Sequence, residues 1–463
     1  MSGTLVIPGT PGWPRSLINT DTNNFAPRLG FAYDLSGNGK TVLRGGYGIF
    51  YFLDRGGVGN QLSNNPNFNG VSTYQACPKS NCADPSGFRT TLSGQGPQGN
   101  NDWTLASGAL PPSVNNVDIN NPKNVSVIYY PQNSQNSSVQ QWNLQIEHAL
   151  AANMVLDVGY VGTKMDHLAT AFNANAIPLG GSSPHWASLG GNVNEYAFIG
   201  SGNYNGLQTS LNRRFSKGLQ FTASYTWSHT LDDSNGAFST TNTNGSRIFV
   251  DQNGNPILSL NRGNADGDIR HYFVFSSLYE LPFGHGRQFG SDIPKALDYL
   301  VGGWQWNNII TLATGTPLDL GVNGTPANRP DISGPISVKI DTTGCTPVGS
   351  TCGKIIGDFS SPPTNASGNF TRAGDLARNA IYGPGLHTWD MGMFKDFKIK
   401  ERFTTEFRAE VFNLFNHPQF QNGSFQTNIS NGTVSGGIVT TMQGAATRFS
   451  SERQIQLAVR VTF

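Results

Sequence analysis

The chain is short of charge. Lys, Arg, Asp and Glu make up 13% of its 463 residues, roughly half the ~25% of an ordinary globular protein. The 30 basic and 29 acidic residues leave a net charge of +1. That balance excludes the basic footprint of a nucleic-acid binder, so no nucleic acid is expected among its partners. Long apolar runs are lacking too. The longest, such as Asn307–Ala313, fall far below the ~20 residues a membrane helix needs. Any membrane role therefore requires strands closed into a barrel. Met1–Thr10 has neither the basic start nor the apolar run of a secretory signal. Cysteine is scarce, with Cys77 and Cys82 in one polar loop and Cys345 and Cys352 in another. The two tight pairs fit local loop disulfides in an oxidising compartment. No C-x-x-C spacing supports the rival reading, a four-cysteine zinc site.

What the chain has instead is glycine, at 56 residues, and aromatics, at 11%. Several stretches alternate apolar and polar residues with a period of two, as a strand with two different faces does. Leu219, Phe221, Ala223, Tyr225 and Trp227 stand against Gln220, Thr222, Ser224, Thr226 and Ser228. Phe403, Thr405, Phe407, Ala409 and Val411 stand against Arg402, Thr404, Glu406, Arg408 and Glu410. Ile455, Leu457, Val459, Val461 and Phe463 close the chain opposite Gln454, Gln456, Ala458, Arg460 and Thr462. Weaker alternation covers Trp142–Leu150, Met154–Thr163, Leu207–Phe215, His271–Leu281 and Trp304–Leu312, and strands are also expected near Arg28–Leu35, Thr41–Phe52 and Thr388–Lys398. The total is about eleven strands, most of them about 9–13 residues long, the length a tilted membrane strand requires.

The connections follow a rhythm. Short turns are expected at Ser36–Lys40, Ala151–Asn153, Ser216–Gly218 and Ile399–Glu401. Between them lie long loops rich in Asn, Gly, Ser, Thr and Pro: Asp54–Asn124, Lys164–Asn203, Asp232–Ile269, Thr316–Leu386 and Asn416–Ser451. Short turn, strand, long loop, strand is the rhythm of an outer-membrane barrel, with periplasmic turns and extracellular loops. One connection, Pro282–Val301, is longer than the others on the turn side. Trp142, Tyr225, Trp227, Tyr279, Trp304 and Trp389 fall near strand ends on the apolar rows, as aromatic girdles at two membrane interfaces would. A buried β-sandwich core would also alternate aromatic with polar residues, but its strands are shorter and its loops rarely reach these lengths.

Motifs of chemistry are few. Gly37–Thr41 looks like the end of a phosphate-binding loop, but the first glycine would fall on Asp34 and a strand follows, so a hairpin turn is expected. Asp251–Asn255 and Asn264–Asp268 offer oxygen atoms in a calcium-like order but lack the closing glutamate of an EF-hand, and read as polar turns. His229 and His271 sit beside aromatic residues and read as interfacial groups. Arg402, Glu406, Arg408 and Glu410 could suggest a hydrolase, but a lumen-facing ladder of mixed charge accounts for them better. No catalytic residue, cofactor or metal site is expected, and the chain does not read as an enzyme.

Several segments resemble TonB-dependent receptors, in particular the Oar-like branch with a carboxypeptidase-regulatory-like N-terminal domain. They are Asn24–Tyr33 (NFAPRLGFAY), Thr41–Tyr51 (TVLRGGYGIFY), Gln141–Leu144, Tyr160–Gly162, the run from Tyr204 to Ser228, and Arg408–Pro418 (RAEVFNLFNHP). The terminal strand through Val459, Val461 and Phe463 resembles the signal read by the barrel-assembly machinery. The resemblance implies an all-β, antiparallel transmembrane barrel of 22 strands, of which this chain supplies about eleven or twelve. On that reading residues 1–463 are the C-terminal part of the barrel, without plug domain, TonB box or signal peptide. It further implies a place in the outer membrane of a Gram-negative-type bacterium, in contact with its lipid. The TonB complex would be a partner through an N-terminal part, and the cargo a scarce solute such as a siderophore, oligosaccharide or peptide. Ligand contacts are expected in loops such as Asp54–Asn124 and Thr316–Leu386. A passive pore or surface-binding module is the alternative, and a secreted β-sandwich a third.

Overall fold

The computed structural model describes residues 9, 11–16, 18–52, 62, 65, 72–76, 88–92, 125–234, 247–318, 320–322, 324–340, 348–400, 403–417, 419, 428–429, 440–445 and 452–462. Eleven strands pair in chain order into one antiparallel wall. They are β1 (Arg28–Asp34), β2 (Thr41–Tyr51), β3 (Ser138–Ala151), β4 (Met154–Asn173), β5 (Gly190–Ser216) and β6 (Leu219–Asp232). β7 (His271–Glu280), β8 (Trp304–Ala313), β9 (Leu386–Lys400), β10 (Phe403–Phe412) and β11 (Gln454–Thr462) complete it. Every strand expected from alternation is present, and every neighbour in sequence is a neighbour in space. Among the described residues the wall is not closed, since β1 pairs with β2 alone and β11 with β10 alone.

Turn chemistry sets one end of the wall. At the β1–β2 turn the Asp34 carboxylate accepts the backbone N–H groups of Ser36 and Gly37 at 3.0 Å and of Gly39 at 2.7 Å. The β5–β6 hairpin turns on Lys217 and Gly218, both at positive φ (52° and 79°), the pair of angles a tight I′ turn demands. The longer connection, residues 281–303, holds a short helix, α1 (Lys295–Val301).

Register separates the two faces. Directly opposed residues share a face, and the ladders carry one apolar row across the wall: Phe31 to Gly45, Leu144 to Tyr160, Tyr160 to Leu207, Leu207 to Trp227, and Phe275 to Ile310. Ala409 opposite Leu457 ends the row. All six aromatics expected at strand ends lie on it, Trp142, Tyr225, Trp227 and Trp389 toward the long connections and Tyr279 and Trp304 toward the turns. In the same row Gly162 lies under the Trp142 ring, where a Cβ would come within 2.2 Å of it. The polar row runs on the other face, through Gln145, Asp157, Ser210, Ser224, Asn307 and Glu410.

One expectation is corrected. Lys164–Asn203 is no simple loop, because β4 runs on to Asn173 and β5 starts at Gly190, paired from Lys164↔Asn203 to Asn173↔Asn194. The ladder slips between Asp166 and Ala169, beside His167 at φ 57°. This bulge carries the hairpin past the wall. Val125–Tyr129 joins its far end as a parallel strand, and Val125, Val127, Phe172, Leu189, Ile248 and Val250 form a core there. A second core gathers Leu318, Leu320, Val322, Phe359, Phe370 and Leu376. A fully buried Leu, Val or Phe side chain contributes about 1.5–3 kcal/mol, so the described parts of the long connections form a packed canopy over the strand ends.

Candidate functional site

The polar face and the canopy above it are the two places where charge collects. On the polar face Arg44 Nη1 lies 2.9 Å from Glu147 Oε2, and Gln145 donates to Asp157 on the adjacent strand. Arg408 grips Glu406 with two parallel bonds of 2.7 and 3.0 Å. Arg460 of β11 and Asp396 of β9 stand opposite Glu406 in register, and Glu410 shares their face. Three of the four charged residues expected to form a ladder, Glu406, Arg408 and Glu410, are thus brought together. Arg402 lies outside the described residues. Val459 and Val461 stand exposed on the apolar face beside Ile455 and Leu457, and Phe463 lies outside the described residues. Cys77, Cys82 and Cys345 also lie outside them, and the Cys352 backbone falls in the strand Val348–Ile356.

Where the canopy meets the wall, loops more than a hundred residues apart are joined by buried polar groups. Arg378, its side chain 1% exposed, pairs with Asp232 at the end of β6 and reaches Asp266 at 3.3 Å. Asn379 donates to the Asn264 carbonyl at 2.7 Å and to Asp266 at 2.6 Å, and Asn264 returns a bond to the Asn379 carbonyl at 2.8 Å. Gly263 lies so close that a Cβ would come within 2.4 Å of the Arg378 carbonyl oxygen. Asp268 is buried as well. It accepts the Thr230 N–H at 2.6 Å and the Tyr382 hydroxyl at 2.6 Å, with Arg270 Nε 3.1 Å away. Burial pushes the Tyr382 hydroxyl above its ordinary 10, and its bond to the Asp268 carboxylate adds to the shift. Farther out, Arg329 donates to Asn261 at 2.8 Å and to the Leu260 carbonyl at 3.1 Å. Arg372 clasps Asp331 with two bonds of 2.7 Å.

Carboxylates of the calcium-like segments are engaged in such bonds. Asp251 accepts the N–H groups of Asn253 and Asn255 at 2.8 and 2.9 Å and the Asn255 side chain at 3.0 Å, which together hold its carboxyl below the usual range. Asp266 and Asp268 serve Arg378, Asn379 and Tyr382. Among the described residues no three His, Cys, Asp or Glu groups converge on a metal position. His229 Nε2 meets Asn264 at 2.8 Å and His271 Nδ1 meets the Tyr225 hydroxyl at 2.8 Å. The buried Arg378 and Arg329 are not singled out by the sequence, and Asp268 falls in a segment read from the sequence as a polar turn. Apart from Arg270 beside Asp268, their partners lie 38 to 146 residues away, and a charge in an Asn- and Gly-rich stretch carries no local sign of burial.

One canopy carboxyl is set apart. Glu195, on the hairpin extension, stands between Phe172 and Tyr129 in the ladders, and burial raises it from 4.5 to about 7. A carboxyl raised on folding favours the protonated folded state, so its destabilising effect is absent below pH 4.5 and complete above about 7. We expect amide protection in Val125–Tyr129 and Phe172–Glu195 to fall by up to roughly 2–3 kcal/mol between those limits. Hydrogen exchange at pH 5 and pH 8 measures it. Glu195→Gln should flatten the difference, and an unchanged pH dependence in that variant would assign it to another group.

Residues 2–456 match the family described as an outer membrane beta barrel domain. Solved structures similar to the chain include the outer membrane transporter YddB from Escherichia coli, at 9% identity and TM-score 0.41, with 95% of this chain and 40% of that chain covered. The ferric-catecholate import receptor Fiu from E. coli gives 11% identity and TM-score 0.38, over 94% of this chain and 34% of that one. A mutant of the ferric enterobactin receptor PfeA from Pseudomonas aeruginosa gives 10% and 0.40, over 95% and 40%. The chain spans no more than 40% of the length of these proteins. No curated protein matches it.

Proposed function

The chain belongs to the outer-membrane β-barrel domain family, and from that premise we propose that it forms part of the wall of a TonB-dependent receptor that takes up a scarce solute. On this reading the apolar face meets lipid, the polar face lines the lumen, and the short turns are periplasmic. The canopy is then extracellular and captures the solute. The eleven strands supply about half of a 22-stranded wall. A plug and TonB box, as the sequence resemblance implies, would couple capture to the inner-membrane proton gradient. The terminal strand through Val459 and Val461 would be read by the barrel-assembly machinery.

The observation that carries the reading is the canopy itself. Buried ion pairs and apolar cores fasten the long connections to one another and to the strand ends, Arg378 to Asp232 at the end of β6 among them, where a passive pore needs only loose loops. A rigid, polar, loop-built surface is what selective capture demands.

The test is uptake in source cells, across a panel of siderophores, oligosaccharides and peptides, with the gene intact or disrupted. Disruption should abolish uptake of one solute, and collapsing the proton gradient should abolish it equally. Intact mass from detergent-extracted outer membranes should then show a polypeptide about twice the mass of this chain or more. Uptake that survives collapse of the gradient would replace the coupled receptor with a passive pore.

A further inference from the structure

The connection between β7 and β8 does something a periplasmic turn need not do. Residues 281–303 fold into a compact unit closed by α1, and part of its exposed surface is apolar, beside exposed Arg287, Gln288, Asp292 and Lys295. Leu300 is 70% exposed and Tyr299 57%, with Leu297, Val301, Phe283 and Phe289 exposed beside them. Leu297, Leu300 and Val301 fall at i, i+3 and i+4, one stripe of the helix. The polar group beside that stripe, Asp298, turns inward and accepts the His285 N–H at 2.6 Å.

The unit is fastened to the apolar face of the wall. Trp304, on that face, donates its indole N–H to the Leu300 carbonyl at 2.9 Å and meets Phe407 edge-on at 6.2 Å. Lys395 occupies the same face opposite Trp304, a position that would place a bare ammonium against lipid. It is only 3% exposed. Its Nζ donates to the Gly302 carbonyl at 2.5 Å and lies 5.4 Å from the Trp304 ring and 5.0 Å from Phe397. The connection has therefore folded back onto the apolar face of β8–β10, and its apolar stripe lies beside that face.

We propose that α1 with its flanking turns is an interfacial foot, which seats Leu297, Leu300 and Val301 among the glycerol groups and upper acyl chains of the phospholipid leaflet on the turn side. The occupant is phospholipid because Trp304, on the apolar row of the wall, bonds the Leu300 main chain and so joins the stripe to that row. An amphipathic helix with its apolar face a few ångströms into the headgroup boundary is a stable arrangement. The foot would fix the depth of the wall and shield Lys395 from the acyl chains. The inference rests on the apolar face being the lipid face, not on what the barrel transports.

The test embeds the full chain in vesicles of phosphatidylethanolamine and phosphatidylglycerol. One preparation carries a photoreactive group at the glycerol level and another carries it at mid-chain. Peptides covering Lys295–Val301 should be labelled by the glycerol-level probe and at least fivefold less by the mid-chain probe, while peptides of β6 should be labelled by the mid-chain probe. A Leu297→Asp/Leu300→Asp variant should lose at least four-fifths of the labelling on α1 and keep that on β6. The wild-type map decides the question even if the variant fails to assemble. Labelling confined to wall strands, with α1 untouched, would overturn the proposal and leave the stripe to a protein partner.

Discussion

Replacing Ala223 by Arg should block assembly into the outer membrane, while replacing its neighbour Thr222 by Arg should be tolerated. Ala223 sits mid-strand on the apolar row, opposite Leu211 on one side and Phe275 on the other. Thr222 faces the other way, opposite Asn212 and Ser276. An arginine on the lipid face near the bilayer midplane costs roughly 2–4 kcal/mol, between one and three powers of ten in the folding equilibrium. Against a total stability of ~5–15 kcal/mol that loss exposes the unassembled chain to proteolysis. On the polar face the same side chain finds amide and hydroxyl groups and space for water. Membrane fractionation with a heat-shift gel separates the outcomes. Equal assembly of the two variants would sink the facing assignment and, with it, the polar face as a lumen.

That contrast was legible in the sequence because a membrane wall forces strict alternation on its strands. Where each face has one kind of neighbour, period two survives, and the rows from Leu219 and from Phe403 could be read residue by residue. The reading failed at Thr163, for two physical reasons. The bulge around His167 inserts residues that oppose nothing, so the phase of the alternation shifts by an uneven step. Beyond it the strand is covered on both sides. Val193 and Ala197 pack into the first core while Tyr196 and Phe198 pack with Tyr130 and Ala171 into a third. A strand buried on both faces shows a short apolar run, Tyr196–Ile199, which cannot be told from a loop cluster by period alone.

The canopy was less legible still. Two of its cores draw on few residues from each connection, Ile248 and Val250 from one and Leu318, Leu320 and Val322 from another. No single stretch is apolar enough to look like a core. Its charges read as solvated loop residues, as most loop charges are, and only three-dimensional pairing distinguishes Arg378 from a surface arginine. What could be read was the ladder of Glu406, Arg408 and Glu410, because a strand places alternate residues on one face whatever its partners are.

The sharpest test of the canopy is Arg378→Met. The guanidinium is buried between Asp232, itself 19% exposed, and Asp266, which is 70% exposed. It also reaches the Asp232 main-chain carbonyl at 3.4 Å. Methionine fills much of the same volume but supplies no charge and no donor. The Asp232 carboxylate is then left without its cation, with the acid groups of Asp233 and Asp266 nearby. Breaking a buried pair by removing one partner costs about 3–5 kcal/mol, mostly through the charge left behind. Because the pair joins the end of β6 to the segment around Gly263 and to Asn379, the loss should fall on the canopy and spare the wall. Hydrogen exchange should rise by two to three powers of ten in Asn261–Asp268 and Leu376–Tyr382, with the amides of β3 and β7 unchanged. Asp232→Asn combined with Arg378→Met should recover part of the protection, since the uncompensated charge goes with it. If Arg378→Met leaves exchange in both segments unaltered, the ion pair is not what holds the canopy to the wall. The attachment would then rest on the apolar cores and on the bonds of Asp268 to Thr230 and Tyr382 and of Asn379 to Asn264.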